Sequence, residues 1–243
     1  MIGFFRKIRK KLADDNKPLK YARYAFGEIV LVVIGILIAL SINNWNEDQK
    51  KQKLKVSYKN SLVNDLSSDT LLLGRLIKVN YKSLNTLDTQ TNRFIGPDTP
   101  IDTLIKIARD EFDPDINTRF KYNRNTINTL IASGNIDLFT IEFNEMLMAL
   151  VLLQDIEREN AKWFSDVYSS KASRYSDNYP FSAWPQNSNL INSIWVDIDE
   201  KKFTSSFVSL IAIKGYTHYT FIKEIENVKE QTTIILEHMN KQN

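Results

Sequence analysis

Few residues of this chain could do chemistry, and their spacing argues against most of it. Cysteine is absent and only two histidines occur among 243 residues. That removes cysteine nucleophiles, disulfide scaffolds, iron–sulfur clusters and the usual zinc fingers. His218 and His238 fall on one predicted helix, separated by about five turns, so they cannot share a metal within it; each reads as a surface or seam residue. Asp65 and Asp69 lie one helical turn apart and could face one ligand, but as solvated side chains they need none. Asp113, Asp115 and Asn117 imitate the opening of a calcium loop. The sixth position of that register is Thr118 rather than glycine, and the twelfth is Arg124 rather than glutamate. No glycine-rich phosphate loop, nucleophile elbow or zinc-protease motif is present, and the 7 glycines also argue against a sheet of many hairpins. One aromatic group is left, Tyr175, Tyr179, Phe181, Trp184 and Trp195. It could line a ligand pocket or meet another protein, but packing of a bundle cap is the preferred reading. The expectation is a protein that is not an enzyme and uses no cofactor and no metal.

What remains is a question of position. Lysine and arginine total 32 against 29 aspartate and glutamate, but the excess is local. Arg6, Lys7, Arg9, Lys10, Lys11, Lys17, Lys20 and Arg23 stand against only Asp14 and Asp15 in the first 24 residues. This end directly precedes the most apolar segment, AFGEIVLVVIGILIALSI at 25–42, whose one charge is Glu28. With its flanks from Tyr21 to Trp45 the segment is long enough to cross a hydrocarbon core, which takes about 20 helical residues. Tyr21 and Tyr24 at one end and Trp45 at the other form the expected interfacial aromatic belt. A cleaved signal peptide would use Ala39-Leu40-Ser41, but the basic region is long for one, and a retained anchor is expected. The larger positive flank places the N-terminus in the cytoplasm and most of the chain across the inner membrane in the periplasm. The basic residues flank a span and carry no groove-reading motif, so nucleic acid is not an expected partner.

Two details refine the anchor. Phe4, Phe5, Ile8 and Leu12 recur at helical spacing among cations, the pattern of a short helix lying in the headgroup plane of the bilayer. Glu28 is costly in hydrocarbon unless it reaches the interface, meets a basic group such as Arg23, or pairs between protomers. Gly35-x-x-x-Ala39, with Gly27 two turns earlier, makes a small-residue face that allows close helix contact.

FFRKIRKKL (4–12) and KYARYAFGEIVLVVIGILIALSINNWNE (20–47) resemble the amino-terminal signature of a family of uncharacterised membrane proteins common in Bacteroidota, classed as a domain of unknown function. The resemblance rests on Gly27-Glu28-Ile29, Ile34-Gly35-Ile36 and Asn43-Asn44-Trp45-Asn46, and more loosely on TINTLIASGNIDLF (126–139). It implies a single-span membrane location and an architecture, and no activity.

Beyond the span the pattern is all-α. From Asn46 to Phe94 there is no proline and one glycine, and Tyr58, Leu62, Leu66, Leu73, Leu76, Ile77, Tyr81, Leu84 and Leu87 make one stripe. The spacing predicts a cytoplasmic basic segment (1–20), a transmembrane helix (21–45) and a periplasmic helical domain (46–243). Within that domain it predicts a stalk helix over 46–94, short helices over 100–111 and 126–133, and long helices over 140–175 and 198–240. Thr99 and an Asp197-x-x-Glu200 box are the expected caps, and Gly134 the expected stop. Residues 112–125 and 176–196 read as irregular, the short helices should close one end of a bundle, and the last helix should run antiparallel to the stalk. The expected role is a membrane-anchored structural or interaction protein, a homo-oligomer or part of an envelope complex. The alternative is a ligand-sensing or transport-accessory module acting through a partner.

Overall fold

The computed structural model describes residues 6–7, 18–181 and 189–241, and all regular structure among them is helical. The chain divides into two compact units, Met1–Ser57 and Tyr58–Asn243. Helix α1 (Pro18–Asn92) contributes to both. It opens on a proline, which fits a first helical position because no intrahelical amide is needed there.

In the first unit the apolar side chains of α1 face outward. Phe26 is 69% exposed and Leu31 70%. An 18-residue window has mean hydropathy 2.7, and none of it is buried within the chain. Among the described residues this is the one helix long and apolar enough to cross a membrane. The expected amphipathic start, with Phe4 and Phe5, lies outside the described residues except for exposed Arg6 and Lys7.

The second unit contains the rest of α1, then α2 (Ile101–Lys106) running into a π turn (Ile107–Glu111), and α3 (Asn125–Ala132) with a 3-10 turn (Asn135–Leu138). It is completed by α4 (Ile141–Ser176), α5 (Asn189–Ile194) and α6 (Glu200–Lys241). Local chemistry sets several boundaries. Gly134 stops α3 with a left-handed φ of 70°. Thr140 caps α4 by accepting the Phe143 amide at 3.3 Å. Two expected caps are corrected. Thr99 does not cap α2, since Pro100 is the capping residue and makes no side-chain cap bond. Asp199, not Asp197, caps α6, its carboxylate accepting the Lys202 amide at 3.0 Å, because Asp199 is the residue directly before the first helical turn. Helix α5 also lies inside a stretch expected to be irregular.

Two apolar cores organise this unit. Leu62, Leu66, Leu147, Leu150, Phe221 and Ile235 belong to the first. Leu87, Ile107, Phe112, Tyr175, Phe203 and Phe207 belong to the second. Full burial of one such side chain is worth about 1.5–3 kcal/mol. Helices α1 and α4 pass from the first core to the second, and α6 returns from the second to the first. The short helices close opposite ends, not one end as expected: Leu104 of α2 is in the second core, and Ile127 and Leu130 of α3 are in the first. Between α2 and α3, residues 112–124 run back without helix, turn or bend. This strap takes the place of the fourth helix in an up-down-up-down bundle.

Each long helix keeps a three-four alternation on its buried side. On α1 it runs Leu62, Leu66, Asp69, Leu73, Leu76, Asn80, Ser83, Leu87, Gln90. Asp69, Asn80 and Gln90 are 5% exposed or less. On α4 the same register places Gln154, Glu157 and Ser165 inside, and on α6 Lys214 and His218. These buried polar residues form a belt: Asn80, Ser165, Lys214 and His218 lie between the two cores, Asp69, Gln154 and Glu157 among the residues of the first and Gln90 beside those of the second, and the strap lies along it.

Candidate functional site

A helix satisfies its own amides and carbonyls. An extended segment pressed onto helices does not, and buried main-chain groups need partners. The belt supplies them. Gln90 Nε2 donates to the Glu111 carbonyl at 3.0 Å, Lys214 Nζ to that of Asp113, and Tyr168 to that of Pro114. Asn80 Nδ2 donates to the Asn117 carbonyl at 3.0 Å. The Thr118 and Ser165 hydroxyls are 2.7 Å apart, and Tyr122 donates to Glu157 Oε2 at 2.9 Å. Asp69 accepts the Asn123 amide at 3.1 Å and its side chain at 2.7 Å. Arg124 donates to Gln154, Asp155 and the Val151 carbonyl. Asp65 accepts the Thr126 hydroxyl at 2.6 Å beside the start of α3, where a carboxylate also suits the helix dipole.

Asp69 is therefore out of solvent and Asp65 half-buried, and both face a segment of their own chain. Of the calcium-like residues, Asp113 and Asn117 offer main-chain carbonyls to Lys214 and Asn80, and Asp113 Oδ1 accepts the Asp115 amide at 2.8 Å. Among the described residues no group of three or more metal-binding side chains converges.

Burial gives these anchors unusual proton affinities. Glu157 is 2% exposed, and loss of solvation, with Glu224 nearby, pushes its carboxyl up to about 7. One of its oxygens has no hydrogen-bond partner among the described residues. Asp69 is raised for the same first reason, against the stabilising Asn123 bonds. His218 is fully buried; desolvation and then the Lys214 cation push it down to about 4. Its Nδ1 lies 2.6 Å from Asn80 Oδ1. The Asn80 amide group already donates to two carbonyls, so Oδ1 accepts and the neutral imidazole carries its proton on Nδ1. Lys214 is lowered by desolvation, and its ammonium lies 4.9 Å from the centre of the Phe112 ring.

Between the strap and α4 opens a cleft of about 520 Å³, with Phe120, Tyr122, Glu157 and Ala161 among its walls and Arg119, Lys121, Arg158 and Lys162 on its rim. A second hollow of about 390 Å³ continues past Ser165 towards Ala172 and shares Thr118 and Arg119 with the first. The sequence signal for the floor was available: polar residues in a buried three-four register.

The residues singled out from sequence lie elsewhere. Tyr175, Tyr179 and Trp195 are buried in the second core, with Phe181 packed against them. Tyr175 stacks on Phe181 at 5.5 Å, and Tyr179 meets Phe203 edge-on at 5.1 Å. Their faces are used on each other. Trp184 lies outside the described residues. Gly27, Gly35 and Ala39 are exposed, and a methyl group at either glycine would touch nothing among the described residues. Glu28 is half-buried and is not without a partner. Tyr21 lies in the first turn of α1, Tyr24 is half-buried, and Trp45 is 65% exposed. His238 is half-buried with its ring stacked 5.8 Å from Phe143.

No curated protein and no solved structure matches the chain. Residues 28–141, just under half of the sequence, match a family described as a family of unknown function (DUF6090). The match takes in α1 from Glu28, the strap and α3, while the strap anchors on α4 and α6 lie beyond it.

Proposed function

We propose that this chain is a single-span membrane protein whose helical body works by binding other proteins, as a homo-oligomer or within an envelope complex. In this reading residues 21–45 cross a bacterial inner membrane, the basic N-terminus is cytoplasmic and the body is periplasmic. The observation that carries the reading is the apolar window of α1, of which none is buried although the body fills two cores without it. Such a surface needs lipid or protein around it. The body adds a second apolar face: Ile141, Met148, Leu152, Ile156 and Trp163 follow one side of α4 and stay exposed, Ile141 by 78%. Mass measurement of the chain held in nanodiscs tests the reading. A strictly monomeric particle that copurifies with no partner overturns it. Topology is separable, because the chain has no cysteine: Ser170→Cys should be labelled by a membrane-impermeant maleimide from the periplasmic side.

A ligand-sensing module acting through a partner is the second reading. The cleft of about 520 Å³ beside Glu157 favours it, being within the usual size of small-molecule sites of roughly 300–1,000 Å³. Saturable binding of a small molecule that Glu157→Gln abolishes would move the weight to this reading.

A further inference from the structure

We propose that the trough between the strap and α4 receives an extended acidic peptide segment of a partner protein, which pairs main chain to main chain with residues 118–121. The proposal rests on the interaction reading above and names the chemistry of the partner.

The first observation is a set of open hydrogen-bonding groups. From Ile116 to Lys121 the Asn117 carbonyl is the one main-chain group with a partner among the described residues. Free amides and carbonyls in a row are the condition of a sheet edge, the template to which peptides add as strands. The second is preorganisation. Thr118 and Tyr122 are buried and Phe120 half-buried, while Arg119, Lys121 and Asn123 are exposed. That two-residue alternation is the pattern of an extended chain. The bonds of Thr118 to Ser165 and Tyr122 to Glu157 hold it in place, so little ordering cost remains for binding.

Room and charge select the occupant. The two hollows follow α4 from Glu157 to Ala172, roughly 22 Å at the helical rise. About seven residues of extended peptide span that length. Arg119 and Lys121 make no ion pair among the described residues, and Arg158, paired with Asp155 at 2.9 Å, and Lys162, 3.6 Å from Asp166, face them from α4. Asp115 and Asp166 are the acids on the rim. The rim favours carboxylate side chains, and the attraction weakens with salt.

The test uses the full chain in nanodiscs and a fluorescein-labelled peptide of alternating residues, Glu-Val-Glu-Val-Glu-Val-Glu. Saturable binding is expected, at least ten-fold weaker to the Arg119→Glu, Lys121→Glu double variant and absent for the lysine counterpart of the peptide. Methylating alternate peptide nitrogens should abolish binding to the wild-type chain, an arm that needs no variant to fold. Hydrogen exchange at the amides of Thr118 and Phe120 should slow when the peptide binds, since Asn117 and Asn123, and with them the alternate residues Arg119 and Lys121, turn their main-chain groups towards α1. Equal binding of the methylated peptide would overturn strand pairing. So would protection of the same amides by succinate with no peptide binding, which would assign the trough to small anions, and so would no binding of any probe. If the peptide fails while nanodisc mass still shows an assembly, this site falls and the interaction reading stands; a partnerless monomer removes the reading itself.

Discussion

At Asn117 the strap is held by an amide–imidazole pair, Asn80 and His218, and at Tyr122 by a carboxyl group, Glu157. Both anchors are buried, the first between the two cores and Glu157 among the residues of the first core, and both lie on helices whose remaining inward positions are mostly apolar. They differ in what burial does to them. Desolvation disfavours the charged form in each case, which raises an acid and lowers a base, so that both groups tend towards neutrality near pH 7. A strap cannot bond to itself as a helix does. It forces polar groups into the interior, and the interior then sets their proton affinity.

The comparison breaks most visibly at Asn80. Its amide holds the Asn117 carbonyl, and its oxygen holds His218. Asn80→Ala leaves both without that partner, the His218 ring in the buried interior and the Asn117 carbonyl on an exposed residue. A loss of about 2–4 kcal/mol is expected, since unsatisfied buried groups carry their full desolvation cost. The urea midpoint of the full chain in detergent reads it. A variant as stable as wild type would mean that the strap is not held there.

The proton response is the next largest effect, and its sign differs at the two anchors. Glu157 has its affinity raised from 4.5 to about 7. The folded state therefore holds an extra proton between those values, and stability from this group is lost as pH rises through that window. His218 is lowered from 6.5 to about 4. Its contribution is present above 6.5 and is lost as pH falls towards 4. Between about pH 4.5 and 6.5 the two slopes oppose, each at most about 1.4 kcal/mol per pH unit. Relative to wild type, Glu157→Gln should tilt stability upward with pH across this window, and His218→Gln should tilt it downward. Denaturation series from pH 4.5 to 7.5 would show the two tilts. Parallel curves for all three proteins would mean that neither group titrates where its burial requires.

Tyr122 sharpens the same contrast on a smaller scale. Tyr122→Phe removes one hydrogen bond and costs about 1 kcal/mol. It also strips Glu157 of the bond that favours its ionised form, so the Glu157 titration, followed by carboxyl infrared absorption, should move higher. A lower titration point would show that water takes the place of the phenol.

How much of this could be read beforehand follows from the kind of signal each part carries. The helices were legible because leucines and phenylalanines recur at threes and fours, and Gly134 and the prolines punctuate them. The strap was legible only as an absence of pattern between Phe112 and Arg124. Its anchors were hidden because a single Asp69 or His218 looks the same whether it faces water or a carbonyl; register decides it, and Asp69, Asn80 and Gln90 do fall in step with the leucines of α1. The aromatic group left alternatives open for a related reason. Tyr175, Tyr179 and Trp195 can line a pocket or fill a core, and composition does not separate the two. Their rings close on Phe203 and Phe207 because a cap made of short helices leaves a wide gap to fill.

The smallest predicted effect comes from one residue that carries both kinds of contact. The main-chain carbonyl of Glu111 accepts from Gln90, which is 5% exposed, whereas its carboxylate pairs with Arg93 near the surface. The guanidinium beside it lowers the Glu111 carboxyl, but a pair so open to water is screened and contributes little. Glu111→Gln should leave the urea midpoint where it is, in low salt and in high. Gln90→Leu fits the neighbouring apolar core but abandons the Glu111 carbonyl, and should cost about 1 kcal/mol. If instead the carboxylate variant were the damaging one, the start of the strap would be held by surface charge, and the belt of buried polar residues would end at Asn80.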